Sequence, residues 1–229
     1  MKSFIICLSK IEASLKTATE LKQKLEEFDM PAELFEGTYG NDAVVMMANE
    51  GRKVHPVGIK GPSVGPPADP DAELGKIAGP GVRGCFYSHF RLWQKCVELD
   101  EPIIIWEDDI VLTRPLRPVD WKDVLVLALG HPKKSERYID YLNAPTGRPQ
   151  AMPYRNSSMP GCCGYALKPH AAQKLVNTYS NTYLPADNAV NQQHVIIEIH
   201  NYIMGIALVG KGVKKSLTRT SYWDKLNDL

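Results

Sequence analysis

Ile103-Ile104-Ile105-Trp106-Glu107-Asp108-Asp109 is the stretch on which the reading of this chain turns. Its first half is apolar at every position, so it offers no face to solvent. A run of that kind is a strand covered on both sides, as in a parallel sheet flanked by helices. Its second half is three consecutive carboxylates. In open α/β sheets, ligands bind just beyond the carboxyl ends of the strands. Adjacent like charges repel one another unless a cation neutralises them, and carboxylate oxygens suit hard ions such as Mg²⁺ or Mn²⁺. The same triplet also reads as a solvated acidic turn, or as an Asp cap on the next segment. On these seven residues alone both readings stand.

The pattern on either side supports an α/β chain. Upstream, Ser3 to Leu8 is a second continuous apolar run. From Ile11 to Phe28 apolar residues recur at three- and four-residue intervals between Lys and Glu, the period of an amphipathic helix. Met30-Pro31 ends that helix, Ala32 to Phe35 reads as a short strand, and Gly37 to Gly40 as a turn. A β-α-β opening implies parallel pairing. Helix resumes near Val82, with a stripe at Cys85, His89, Leu92, Cys96 and Leu99 widened by Phe86, Phe90, Trp93 and Val97. His89 on such a stripe reads as a core histidine that orients a neighbour. Downstream, Val124 to Leu129 is a third buried strand, Tyr165 to Leu167 a short one, and Pro169 to Tyr179 a helix. Val190 to His200 fits a helix or a strand, and Ile203 to Val209 fits a strand.

Composition bounds the function. The chain has 229 residues, with 27 Lys and Arg against 26 Asp and Glu, and 44% hydrophobic residues. That is ordinary globular composition, and the near-zero balance argues against a general polyanion binder. No run reaches the roughly 20 apolar residues of a membrane span. Met1 to Leu8 is too short for a signal-peptide core and is followed by helix, so it reads as a core strand. The five cysteines lack metal or redox spacing. They read as reduced thiols of a cytoplasmic protein. No composition break divides the chain, so residues 1–229 read as a single domain. Gly and Pro crowd residues 51–82, which read as a loop over a ligand pocket, ordered in part by substrate. Residues 131–160 read as a second, polar loop.

Gly84-Cys85-x-x-Ser88-His89, followed by Glu107-Asp108-Asp109, resembles the pattern of glycosyltransferase family 25. Trp121 to Gly130, Gly161 to Leu175 and Leu184-Pro185-Ala186-Asp187 are similar to later elements of that family, in the right order and spacing. The resemblance implies a GT-A-like fold with a mostly parallel sheet, a nucleotide-diphosphate sugar donor such as a UDP-sugar, a bound Mn²⁺ or Mg²⁺, and inversion at the anomeric carbon. By that resemblance Asp109 is a metal ligand, with Glu107 or Asp108 on the metal or the donor ribose. Asp187 is the candidate base and Glu107 a second catalytic candidate. Leu8, Ser9, Arg83, Gly84 and Ser88 are candidate donor contacts. Two departures stand out: Ile6-Cys7-Leu8 replaces the family's Ile-Asn-Leu opening, and Ser14 lies where an Arg is expected.

Other motifs carry less. Gly79 to Gly84 spells G-x-G-x-x-G, but no strand precedes it, so the dinucleotide reading fails. A glycine turn opening a helix can still present amides to a phosphate, with Arg83 beside it. Lys and Arg outnumber acids in 131–155 and 210–229. A glycan is the default acceptor. The basic segments raise a second one, a hydroxymethylated base in phage-type DNA, reached by flipping. A non-catalytic sugar-nucleotide or nucleic-acid binding module is the rival from another class.

Overall fold

The computed structural model describes residues 1–52, 55–56, 80–112, 114–129, 150–151, 159, 162–200 and 205–207. The Gly/Pro-rich tract at 51–82, the polar segment 131–160 and the basic tail lie almost wholly outside these. Among the described residues the order is β1 (Lys2–Cys7), α1 (Glu12–Glu27), β2 (Glu33–Glu36), α2 (Gly40–Asn49), β3 (His55–Pro56), α3 (Pro80–Leu99), β4 (Ile103–Glu107) and β5 (Ile110–Leu112). Then follow β6 (Val124–Leu129), β7 (Gln150–Ala151), β8 (Gly164–Leu167), α4 (Pro169–Thr178), β9 (Thr182–Tyr183), α5 (Ala186–Ala189), β10 (Ile197–Ile199) and β11 (Gly205–Ala207).

One sheet organises the chain, in the order β2-β1-β4-β8-β6-β10-β7, with β11 pairing β6 and β5. Parallel pairing joins β2, β1 and β4, as the β-α-β opening requires, and joins β6 to β10 and β11. The sheet is mixed, because β8 runs antiparallel between β4 and β6, β7 is antiparallel to β10, and β5 to β11. The expectation of mostly parallel pairing therefore describes two blocks, with the antiparallel β8 strand between them.

Why the strands are apolar throughout is visible in their alternation, since successive side chains point to opposite faces. Phe4, Ile103 and Ile105 face a core shared with Phe86, Phe90, Trp93, Ala171 and Leu175 of α3 and α4. Ile5, Ile104 and Trp106 face a second core, built with Ala18, Leu21 and Leu25 of α1. Helices thus cover both faces, and neither face of β1 or β4 is free to be polar.

Helix α2 fills residues to which the sequence pattern assigns no element. Its stripe is narrow: Ala43 and Met47 are buried, whereas Val44 and Val45 are exposed. The helix alternative for 190–200 is excluded, because that segment ends in β10, parallel to β6. Gly164 on β8 leaves room for a ring: a Cβ there would lie 2.5 Å from Trp106 Cε3.

Candidate active site

Register brings the carboxyl ends of β1 and β4 together. Ile6 pairs with Glu107, so Leu8 and Ser9, just past β1, neighbour the Asp108-Asp109 turn between β4 and β5. The loop after β1 is held by side chains. The Leu8 N–H donates to Ser14 Oγ at 2.9 Å, the Ser9 N–H to Glu36 Oε1 at 3.3 Å, and the Lys10 N–H to the Tyr39 hydroxyl at 2.9 Å. Ser14, where the family pattern leads one to look for an Arg, is thus a buried clasp on the strand end.

Glu107 is the centre of the cluster. Burial pushes its carboxyl well above the usual range, and Asp109, Asp108 and Asp187 push it further. Asp187 begins the short helix α5, far along the chain, and the fold carries it into electrostatic range of Glu107.

Helix α3 borders the cluster with a face that the sequence reading gave mainly to the core. Cys85 Sγ lies 3.7 Å and His89 Nε2 3.5 Å from Glu107 Oε1. On its other nitrogen, His89 Nδ1 meets the Tyr165 hydroxyl at 2.9 Å, and Trp93 Nε1–H donates to that hydroxyl at 2.9 Å. Burial lowers the His89 pKa to about 3, so the ring is neutral. Cys162 Sγ is 3.9 Å from His89 Nδ1, and the Glu107 N–H donates to the Cys163 carbonyl at 2.8 Å, which extends the β4–β8 ladder to the site. Cys85, Cys162, Cys163 and Tyr165 are neighbours of Glu107 and His89 that spacing alone did not reveal. The available signal was the i, i+4 relation of Cys85 and His89, which places both on one face of a helix.

Two expected donor contacts have a packing role. A Cβ on Gly84 would fall 2.4 Å from the Thr38 carbonyl oxygen, so glycine lets α3 rest on the Thr38–Gly40 turn. The buried Ser88 hydroxyl donates to the Gly84 carbonyl at 2.7 Å and accepts from the Thr38 N–H at 2.8 Å. Together they fix the end of β2 against α3. Arg83 lies near Tyr183, and its buried Nε has no hydrogen-bond partner among the described residues.

Comparison with known proteins agrees with this arrangement. A family model described as "Glycosyltransferase family 25 (LPS biosynthesis protein)" matches residues 1–190. The chain belongs to glycosyltransferase family 25. It is also similar to the lipooligosaccharide biosynthesis protein lex-1 of Haemophilus influenzae, at 27% identity over 151 residues. That match covers 58% of this chain and 48% of lex-1, so the chain spans about half the length of the curated relative it matches. The family match includes β1, the Gly84–His89 helix, the acidic turn and Asp187, which are the elements the fold gathers around Glu107. As a member of the family the chain is an α/β protein built on one main sheet flanked by helices. Among the described residues, no helix is long and apolar enough to cross a membrane.

Proposed function

We propose that the chain is a metal-dependent, inverting glycosyltransferase that moves a sugar from a nucleotide-diphosphate donor to a hydroxyl of a glycan. The observation that carries this reading is the meeting of Glu107, Asp108 and Asp109 with Asp187 at the carboxyl ends of β1 and β4. The donor set fits a hard divalent ion: three carboxylates lie close enough to Glu107 to raise its pKa, and a cation would relieve that repulsion. Asp109 and Glu107, with Asp108 beside them, would hold Mn²⁺ or Mg²⁺, which supplies charge neutralisation for a departing diphosphate.

The chain's own residues account for the remainder. Asp187 takes the proton of the acceptor hydroxyl as that oxygen bonds to C1 of the sugar and the C1–diphosphate bond breaks. Glu107, which stays protonated to higher pH than an ordinary carboxylate while no cation is bound, is the second candidate for proton exchange there. Leu8 and Ser9 border the nucleotide side of the cleft through the β1 end. Arg83 would meet the diphosphate, a role supported by its buried Nε, which has no hydrogen-bond partner among the described residues. Gly84 and Ser88 act at one remove, by fixing α3 against the Thr38 turn.

The printed name of lex-1 favours a lipooligosaccharide-type acceptor, and this reading adopts it. A hydroxymethylated DNA base gains nothing comparable, since the basic segments that raised it lie almost wholly outside the described residues. The test is hydrolysis of UDP-sugars with and without Mn²⁺, by the native enzyme and by Asp109→Ala. Turnover that needs the metal and falls at least ~10²-fold in the variant is expected. Metal-independent turnover that ignores the substitution would remove Asp109 from the site.

A further inference from the structure

Behind the acidic turn lies a group of three side chains whose chemistry differs from that of the turn itself. Cys85, His89 and Glu107 each present one ligand atom, and these atoms lie within 4.8 Å of one another. Cys85 and His89 are four residues apart on α3, so one helical face offers both. Glu107 approaches from the end of β4.

The spacing between these atoms discriminates between two interpretations. A hydrogen bond from imidazole to carboxylate normally closes to 2.7–3.2 Å. Here His89 Nε2 stands 3.5 Å from Glu107 Oε1, and Cys85 Sγ stands 3.7 Å from the same oxygen. The histidine contact is long for a direct bond, and the thiol contact has the length of a weak thiol hydrogen bond. Both are also close to the roughly 3.4–3.6 Å that separates neighbouring ligand atoms around a tetrahedral ion, for a metal–sulfur distance of about 2.3 Å and metal–nitrogen or metal–oxygen distances of about 2.0–2.1 Å, and the sulfur–nitrogen edge closes within 4.8 Å. The imidazole is also supported as metal-bound histidines usually are. Its far nitrogen meets Tyr165, and Trp93 holds the Tyr165 hydroxyl from the other side. A set of one sulfur, one nitrogen and one oxygen suits a borderline ion such as Zn²⁺ or Co²⁺ better than Mg²⁺ or Mn²⁺.

We infer that Cys85, His89 and Glu107 form a second cation site, selective for a thiophilic divalent ion, that abuts the acidic turn and shares Glu107 with it. Binding releases the Cys85 thiol proton to solvent and leaves one coordination position beyond the three ligands found among the described residues. An ion held there ties Glu107 to α3. This inference needs neither the donor nor the transfer reaction proposed above, and it is tested by binding alone.

The experiment is a Co²⁺ titration of the full chain after chelator treatment, followed by absorption spectroscopy. A saturable thiolate-to-cobalt charge-transfer band, with the intense visible bands of tetrahedral cobalt, is expected. Zn²⁺ should displace it stoichiometrically, whereas Mg²⁺ should not. Cys85→Ser should lose the charge-transfer band, and Cys7→Ser, Cys162→Ser and Cys163→Ser should keep it. Tyr165→Phe, which removes the support of His89 along with the acceptor of the Trp93 indole N–H, should weaken Co²⁺ binding about 10–100-fold in chain that circular dichroism shows to be folded. No charge-transfer band in the native chain at saturating Co²⁺ would overturn the site, whatever the variants do. So would a band that persists in a folded Cys85→Ser, as judged by circular dichroism.

Discussion

Asp187 and Glu107 influence one another only because the chain folds, and that coupling gives the most direct test at the scale of single residues. If Asp187 is the base, Asp187→Asn keeps the shape of the side chain and removes its ability to take a proton. The expected result is a kcat lower by about 10²–10⁴-fold, with KM for the donor and the melting temperature close to native. A fall in stability with unchanged kcat would make Asp187 a helix-starting residue and nothing more. Asp123, just before β6 and so at the opposite end of the strands from the acidic turn, shows the opposite electrostatics. Burial pulls its carboxyl up, but the Ile196 N–H, His170 and Lys174 outweigh burial and hold it below the usual range. A carboxyl whose folded-state pKa is depressed contributes stability that is complete above its unfolded value of about 3.9 and is lost as pH falls through the folded value. Asp123→Asn should therefore cost about 1–3 kcal/mol near neutral pH. That difference should shrink below about pH 4 in denaturant melts recorded across the acid range.

At the scale of elements, the helix that carries the family motif is positioned by its contact with the Thr38–Gly40 turn. Gly84→Ala forces a methyl toward the Thr38 carbonyl, backbone that cannot rotate aside. A loss of about 1–3 kcal/mol is expected, read as a drop of roughly 2–4 °C in melting temperature per kcal/mol for a chain of this size. Ser88→Ala leaves the buried Thr38 N–H without its acceptor, at a similar cost of about 1–3 kcal/mol. Both changes should also lower activity, because the same helix sets Cys85 and His89 against Glu107. Most of these elements were legible. The apolar runs announced β1, β4 and β6 because strands covered on both faces have no polar alternation to obscure. The stripe on α1 was equally clear. Helix α2 was not, because its buried face amounts to little more than Ala43 and Met47 between exposed valines. Residues 190–200 were ambiguous because a short apolar run fits either period.

For the whole molecule, the test concerns linkage between ligand and fold. A nucleotide sugar and Mn²⁺ that bind only the native chain should raise its melting temperature together, in proportion to the logarithm of donor concentration. Asp109→Ala should abolish the metal-dependent part of that shift. A shift of equal size without metal would count against a shared donor and metal site. The match to the family over residues 1–190 takes in β1, β4, β6, β8 and α5 and stops short of β10 and β11, so the β1 end and the candidate base on α5 belong to one matched unit.

The sequence alone determined what is local. It set which runs are buried on both faces, where helices start and stop, and that three carboxylates lie at a strand end. The order of its motifs was enough to place the chain beside a known family. Only the tertiary structure decided what lies near what. An antiparallel β8 between β4 and β6, Asp187 beside Glu107, and Cys85 and His89 aimed at the same carboxylate all depend on contacts between residues far apart in the chain. Local spacing does not encode such contacts, because register and helix packing are settled by the burial of both faces of the sheet at once.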